Sequence, residues 1–127
     1  METKVSKKIM KKLLLLIFIF ISFSAFSVEK KTNFSAEVFE NAKANGTTIV
    51  INSYETWCGT CNIQVKILNQ AEKEFKDIIF FSYEQSKNKD IAKKLAIDFW
   101  TTIVVYKGND EIVRIMAKLI KKLFILL

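Results

Sequence analysis

Apolar residues fall along this chain in three patterns: one long run near the N-terminus, several short β-branched runs, and stretches where they recur every three or four positions. The long run, Leu13 to Phe23, is nearly unbroken and follows Lys7, Lys8, Lys11 and Lys12. Ala25-Phe26-Ser27 comes soon after, with small residues at the two positions a signal peptidase reads, so residues 1–27 are expected to be a signal peptide cut after Ser27. The apolar stretch from Leu13 to Phe26 is shorter than the roughly 20 residues of a spanning helix, which favours cleavage over a retained anchor. Met10, directly ahead of Lys11 and Lys12, is an alternative start.

Residues 28–127 suffice for one domain with one core. Val28 to Asn33 is short and polar and reads as a linker or a frayed first strand. Ser35 then caps a helix with Glu37 in its first turn and Phe34 placed to staple onto Phe39, and Asn45-Gly46 ends it through a left-handed residue. Thr47-Thr48-Ile49-Val50-Ile51-Asn52 is β-branched and almost continuously apolar, the pattern of a strand covered on both faces. A helix follows from Cys58 to about Phe75, with Ile63, Ile67, Leu68, Ala71 and Phe75 as its apolar stripe. Ile78 to Tyr83 is a second strand like the first and parallel to it through a right-handed crossover.

Past a polar loop, Glu84 to Lys89, the residues Ile91, Ala92, Leu95 and Ala96 give a short amphipathic helix. Thr102 to Tyr106 gives a third strand, and Lys107-Gly108-Asn109-Asp110 turns the chain into an edge hairpin strand, Glu111 to Ile115. Met116 to Leu127 places Leu119, Ile120, Leu123, Phe124 and Leu127 on one stripe and Lys118, Lys121 and Lys122 opposite. That helix is expected to pack on the sheet; at about three turns it is short for a membrane-surface helix.

The chemistry sits between the first strand and the helix after it. Trp57-Cys58-Gly59-Thr60-Cys61 holds both cysteines of the chain. At a helix N-terminus the unpaired backbone N–H groups and the helix dipole favour a thiolate at Cys58. Cys58 is then the nucleophile on a partner's disulfide, and Cys61, one turn on and facing the body of the domain, resolves the mixed disulfide. Trp57 offers a flat apolar wall beside the thiol, and Gly59 lets a partner chain come close. A structural zinc site needs about four ligands, and this chain has two cysteines and no histidine. A purely structural disulfide would close so short a loop that it constrains the unfolded chain little.

Charge adds little once the first 27 residues are set aside. They hold five lysines and one glutamate of the chain's 20 basic and 13 acidic residues, which leaves 15 against 12 and a net of +3. The remaining lysines are scattered among acidic residues with no aromatic-interleaved basic stripe, so no nucleic-acid partner is expected. Without a Gly-rich phosphate loop or a ligand cluster, no metal, nucleotide or organic cofactor is expected either. Export would put the cysteine pair outside the reducing cytosol, where partners can drive it either way.

The motif and the order of elements together resemble the thioredoxin superfamily. The likeness runs from Phe34 to Tyr106 at least, and Ile49 to Cys61 is similar to the family's active-site segment residue for residue in type. It implies an α/β fold with a central mixed sheet and helices on both faces. By that likeness the chain is a protein-disulfide oxidoreductase working through Cys58 and Cys61, with protein disulfides or dithiols as substrates and a redox partner that recharges the pair. Trp57, Gly59, Thr60, Trp100 and Thr101 would position the substrate, with Trp100 and Thr101 forming the opposing wall. The family pattern is broken in places. The chain contains no proline, and Thr101 stands where the family has a cis-proline. Because a non-proline cis bond costs roughly 3 kcal/mol, the platform there is expected to be rebuilt in trans. Asn52 stands where thioredoxins carry a buried aspartate behind the resolving cysteine, and an amide cannot take a proton. Lys66 and Thr60 replace two further prolines. The expectation is an exported, monomeric thiol-disulfide oxidoreductase. The alternative is an adaptor module of the same fold whose cysteines form an idle disulfide.

Overall fold

The computed structural model of the chain describes residues 32–116. The expected signal peptide, its cut after Ser27 and the expected C-terminal helix beyond Met116 lie outside the described residues. Helix α1, Ala36–Ala44, starts as its sequence implies: the Ser35 hydroxyl accepts the Val38 N–H at 3.3 Å, and the Phe34 ring lies 5.5 Å from that of Phe39. Gly46, at φ +70°, supplies the left-handed residue that turns the chain into β1.

Strand β1, Thr48–Tyr54, is the spine of a four-stranded mixed sheet of order β2-β1-β3-β4. Strand β2, Ile78–Glu84, runs parallel to β1 with Thr48 opposite Ile78 and Tyr54 opposite Glu84. On the other side β3, Thr102–Lys107, runs antiparallel and sets Thr102 opposite Ser53. Strand β4, Asp110–Met116, closes the sheet as the antiparallel edge, with a register shift between Val105 and Tyr106. Met116, which the sequence pattern assigns to the C-terminal helix, ends this strand opposite Thr102. The outer edge of β2 is also occupied. The Asn33 N–H donates to the Ser82 carbonyl at 3.0 Å, the Asn33 side-chain carbonyl accepts the Ser82 N–H at 2.6 Å, and the Thr32 hydroxyl accepts the Glu84 N–H at 3.2 Å. Residues 32 and 33 thus satisfy edge groups that an open strand would leave exposed.

Alternation along β1 divides the core. Ile49 and Ile51 point to the face covered by α1 and by α3, Lys89–Lys94, where they pack with Phe39, Ala92 and Val104. Val50 points to the opposite face and packs with Leu68 of α2, Gly59–Glu74. Ile49, Val50 and Ile51 are fully buried, each worth roughly 1.5–3 kcal/mol of transfer free energy. The buried side of α2 is Cys61, Gln64, Val65, Leu68 and Ala71. Ile63, placed on that side by sequence spacing, is exposed. The stripe is phased by Cys61, two positions earlier, and at 100° per residue this turns Ile63 to solvent while Gln64 takes the interior place.

The C-terminal end of α3 is fastened to β4 through Arg114. Its guanidinium holds the Glu111 carboxylate with two bonds, at 2.6 and 2.8 Å, and donates to the carbonyls of Ala96 and Leu95 at 3.0 and 3.2 Å. Ala96, at φ +51°, is the left-handed residue that ends the helix and starts the segment leading to Thr101. The sheet edge and the loop that forms one wall of the candidate site are therefore mechanically joined.

Candidate active site

Everything at the site hangs from the end of β1. Past Tyr54 the chain turns through Glu55, Thr56 and Trp57, and the Cys58 N–H donates to the Glu55 carbonyl at 3.2 Å. Cys58 is the N-cap of α2: its carbonyl accepts the Asn62 N–H at 3.2 Å, and its Sγ accepts the Cys61 N–H at 3.1 Å. An Asp or Ser oxygen usually fills that capping place. Here a sulfur does, which puts a backbone donor and the positive end of a 16-residue helix at Cys58 Sγ. Cys58 and Cys61 are joined in a disulfide, so the structure is that of the oxidised form. Cys58 keeps 8% of its surface and Cys61 none.

The other expected site residues converge on this pair. Gly59 and Thr60 are exposed in the first turn of α2. Trp57 is 68% exposed and meets Trp100 edge to face, their ring centroids 5.1 Å apart, so the two walls expected on opposite sides of the cysteines join as one aromatic rim. Phe99, 60% exposed, lies next to Trp100 in the chain and was not singled out by its sequence. Its signal is available there: two aromatics, Phe99-Trp100, stand in a segment with no strand or helix periodicity.

Thr101 is buried and touches both sulfurs, its Oγ1 lying 3.5 Å from Cys58 Sγ and 3.4 Å from Cys61 Sγ. Among the described residues no peptide bond is cis, so the platform is in trans as expected, and Thr101 adopts φ +62°. A β-branched residue in the left-handed region is strained by about 1 to 3 kcal/mol. Its surroundings hold it: the Thr101 N–H donates to the Ser53 carbonyl at 2.8 Å, and the next residue's hydroxyl, on Thr102, donates to the Phe99 carbonyl at 2.7 Å.

Behind the motif runs a polar network that sequence reading passed over. The Ser53 hydroxyl donates to the Gln85 side-chain carbonyl at 2.6 Å, the Gln85 amide donates to the Ile97 carbonyl at 2.7 Å, and the Gln85 N–H donates to the Tyr54 carbonyl at 2.9 Å. The buried Glu55 carboxylate accepts the Ser86 N–H at 2.7 Å and its hydroxyl at 3.0 Å. These bonds tie the ends of β1 and β2 to the segment before Thr101. The clue in the sequence is polarity where each apolar run stops, at Ser53 and Glu55 and again at Gln85 and Ser86.

Asn52 lies in β1 on the α2 face, between Val50 and Tyr54, and Tyr54 packs with both cysteines. It is almost fully buried, and neither atom of its amide has a hydrogen-bond partner among the described residues. Burial pushes the Tyr54 phenol above its usual range, and its hydroxyl is hydrogen-bonded with Thr32. Among the described residues no group of three or more Cys, Asp or Glu side chains is placed to hold a metal ion.

The thioredoxin family model matches residues 25–124. The chain belongs to the thioredoxin family. It is 26% identical over 84 residues to Thioredoxin-2 of Saccharomyces cerevisiae, spanning 65% of this chain and 81% of that protein. It is 30% identical over 81 residues to Thioredoxin H-type of Fagopyrum esculentum, spanning 64% and 70%. Among solved structures, Trxlp from Edwardsiella tarda EIB202 superposes with a TM-score of 0.63 at 21% identity, over 67% of this chain and 84% of that one. Oxidised mitochondrial thioredoxin 3 from Saccharomyces cerevisiae superposes at 0.55 with 28% identity, over 63% and 76%. The expected mixed α/β thioredoxin fold is the observed one. As a thioredoxin-family protein with a paired Cys58 and Cys61, it is a thiol-disulfide oxidoreductase.

Within that family identity, Asn52 gives a test of how closed the site's floor is. A carboxyl at this buried position has no donor to stabilise its charged form, so its folded pKa lies above the unfolded value of about 3.9. The unfolded chain then releases the proton first as pH rises. Asn52→Asp should match the parent's stability near pH 4 and fall behind it towards pH 7, by about 1.4 kcal/mol per pH unit until the folded pKa is reached. Urea unfolding at several pH values measures it; a stability difference that does not change with pH contradicts the closed floor.

Proposed function

We propose that this chain is an exported, monomeric oxidoreductase that exchanges electrons with protein disulfides and dithiols through a mixed disulfide at Cys58. The observation that carries this reading is the cap geometry: Cys58 Sγ accepts a helix N-terminal N–H and keeps a small exposed area, 8%, while Cys61 is enclosed one turn later. In the reduced protein the Cys58 thiolate attacks a substrate disulfide. One substrate sulfur becomes bonded to Cys58, and the other leaves as a thiolate that takes up a proton. Cys61, losing its proton, then attacks Cys58 Sγ, which forms the Cys58–Cys61 disulfide and releases the second substrate sulfur. Two electrons pass from the cysteine pair to the substrate, and a dithiol partner returns them by the reverse exchange. Trp57, Trp100, Gly59 and Thr60 form the surface a substrate strand lies against, its apolar groups on the aromatic rim and its backbone close to Gly59, where a partner meets no Cβ. Asn52 cannot accept the Cys61 proton, so that proton passes to the departing thiolate or to solvent.

Reduction of insulin by the dithiothreitol-charged protein tests the exchange. The expected result is precipitation of insulin chains well ahead of dithiothreitol alone, and Cys61→Ser should accumulate a mixed disulfide at Cys58. No rate above background from a protein with an intact Cys58–Cys61 disulfide would instead support an adaptor module with idle cysteines. For export, the basic flank, apolar run and Ala25-Phe26-Ser27 support removal of residues 1–27. Protein expressed in a bacterium from Met1 should be recovered outside the cytosol with Val28 as its first residue; an N-terminus at Met1 or Met10 in a membrane fraction overturns this.

A further inference from the structure

The Thr101 hydroxyl stands where the family places a proline ring with no hydrogen-bonding group, and its two partners among the described residues are the two reacting sulfurs. Neither sulfur of a disulfide carries a proton, and neither does a thiolate. In both states the hydroxyl is therefore the donor of any bond it makes to them. A disulfide sulfur is a weak, neutral acceptor, whereas a thiolate is a charged one, and a hydrogen bond to a charged acceptor is roughly twice as strong. The same hydroxyl thus gains more from the reduced protein than from the oxidised one.

We infer that Thr101 is a catalytic residue of the exchange, its hydroxyl donating to the Cys58 thiolate and so favouring the reduced, nucleophilic form of the site. It does so alongside the Cys61 N–H, which reaches the same sulfur at 3.1 Å. The side chain has little freedom to turn elsewhere. It is 5% exposed, its N–H is tied to Ser53, and its backbone is kept at φ +62°, a strained conformation whose consequence is to aim Oγ1 at the cysteine pair. The titratable side chains beside the motif do not supply this donor. The Tyr54 hydroxyl is hydrogen-bonded with Thr32, and the Glu55 carboxylate is an acceptor, of the Ser86 N–H and hydroxyl among others. The inference also accounts for tolerance of the lost proline, since the substrate platform is altered while the thiolate gains a partner. It rests on the exchange reaction proposed above, with Cys58 as nucleophile.

The test compares Thr101→Val, which keeps the shape and the β-branch but removes the donor, with Thr101→Ser, which keeps the donor. Each reduced protein is titrated by its thiolate absorbance near 240 nm, and its reduction potential is measured against glutathione at a pH where Cys58 is ionised in all variants. Thr101→Val should raise the Cys58 pKa by about one unit, a tenfold change in ionisation, and lower the potential by about 30 mV. Thr101→Ser should stay within a few tenths of a unit of the parent. Should the valine variant not fold, Thr101→Gly replaces it, because glycine adopts φ +62° without strain and also lacks the hydroxyl. A folded Val or Gly variant with the parent's Cys58 pKa and potential overturns the inference. Failure of the exchange reading is seen separately, as a parent protein inactive on insulin, since the titration needs no turnover.

Discussion

The structure depends on the burial of β1 from both sides. Ile49 and Ile51 face one helical layer, Val50 faces the other, and both edges of the strand are paired, to β2 and to β3. A strand so enclosed has one register available, because a slip of one residue would exchange its two apolar faces and bring Asn52 and Ser53 to the wrong sides. That fixed register sets where Tyr54 ends, and so where α2 begins. The capping sulfur of Cys58 stands at that junction, and its position follows from the register of the strand.

Around this point the fold brings together groups from three further places in the chain. Trp100 and Thr101 arrive from the segment between α3 and β3, anchored by the Gln85 amide on Ile97 and by the Thr101 N–H on Ser53. The Arg114 guanidinium holds the start of that segment from the sheet's far edge. Glu55 and Ser86 clamp the two parallel strand ends. The sulfurs therefore sit in a frame with few soft contacts, as a thiolate stabilised by positioned donors requires.

Much of this was legible in the residues. The nearly continuous apolar runs Thr47 to Asn52 and Ile78 to Tyr83 marked β1 and β2, and the Ser35 and Gly46 signals marked α1 at both ends. The cysteine spacing and the apolar turn pattern of α2 gave the place of the motif at the start of that helix. Ile63 was misread because a helix stripe has an uncertain phase when polar Gln64 takes an interior place, and only tertiary contact fixes it. The left-handed Thr101 was beyond reach for another reason. Nothing local favours φ +62° in a β-branched residue, and the conformation is imposed by bonds to Ser53 and by the pairing of β3. The Ser53–Gln85–Ile97 chain is likewise long-range, joining residues that become neighbours only after the sheet has formed.

Fold geometry sets the two cysteines apart: Cys58 caps α2 and keeps 8% of its surface, while Cys61 is enclosed. Competitive alkylation measures this directly. The reduced protein is treated with limiting iodoacetamide across pH 5 to 9, quenched, digested, and the modification of each cysteine read by mass spectrometry. Cys58 should be modified first at every pH, with an apparent pKa below the roughly 8.5 of a free thiol, and Cys61 only after it. Equal modification of the two, or modification of Cys61 first at neutral pH, would contradict the claim.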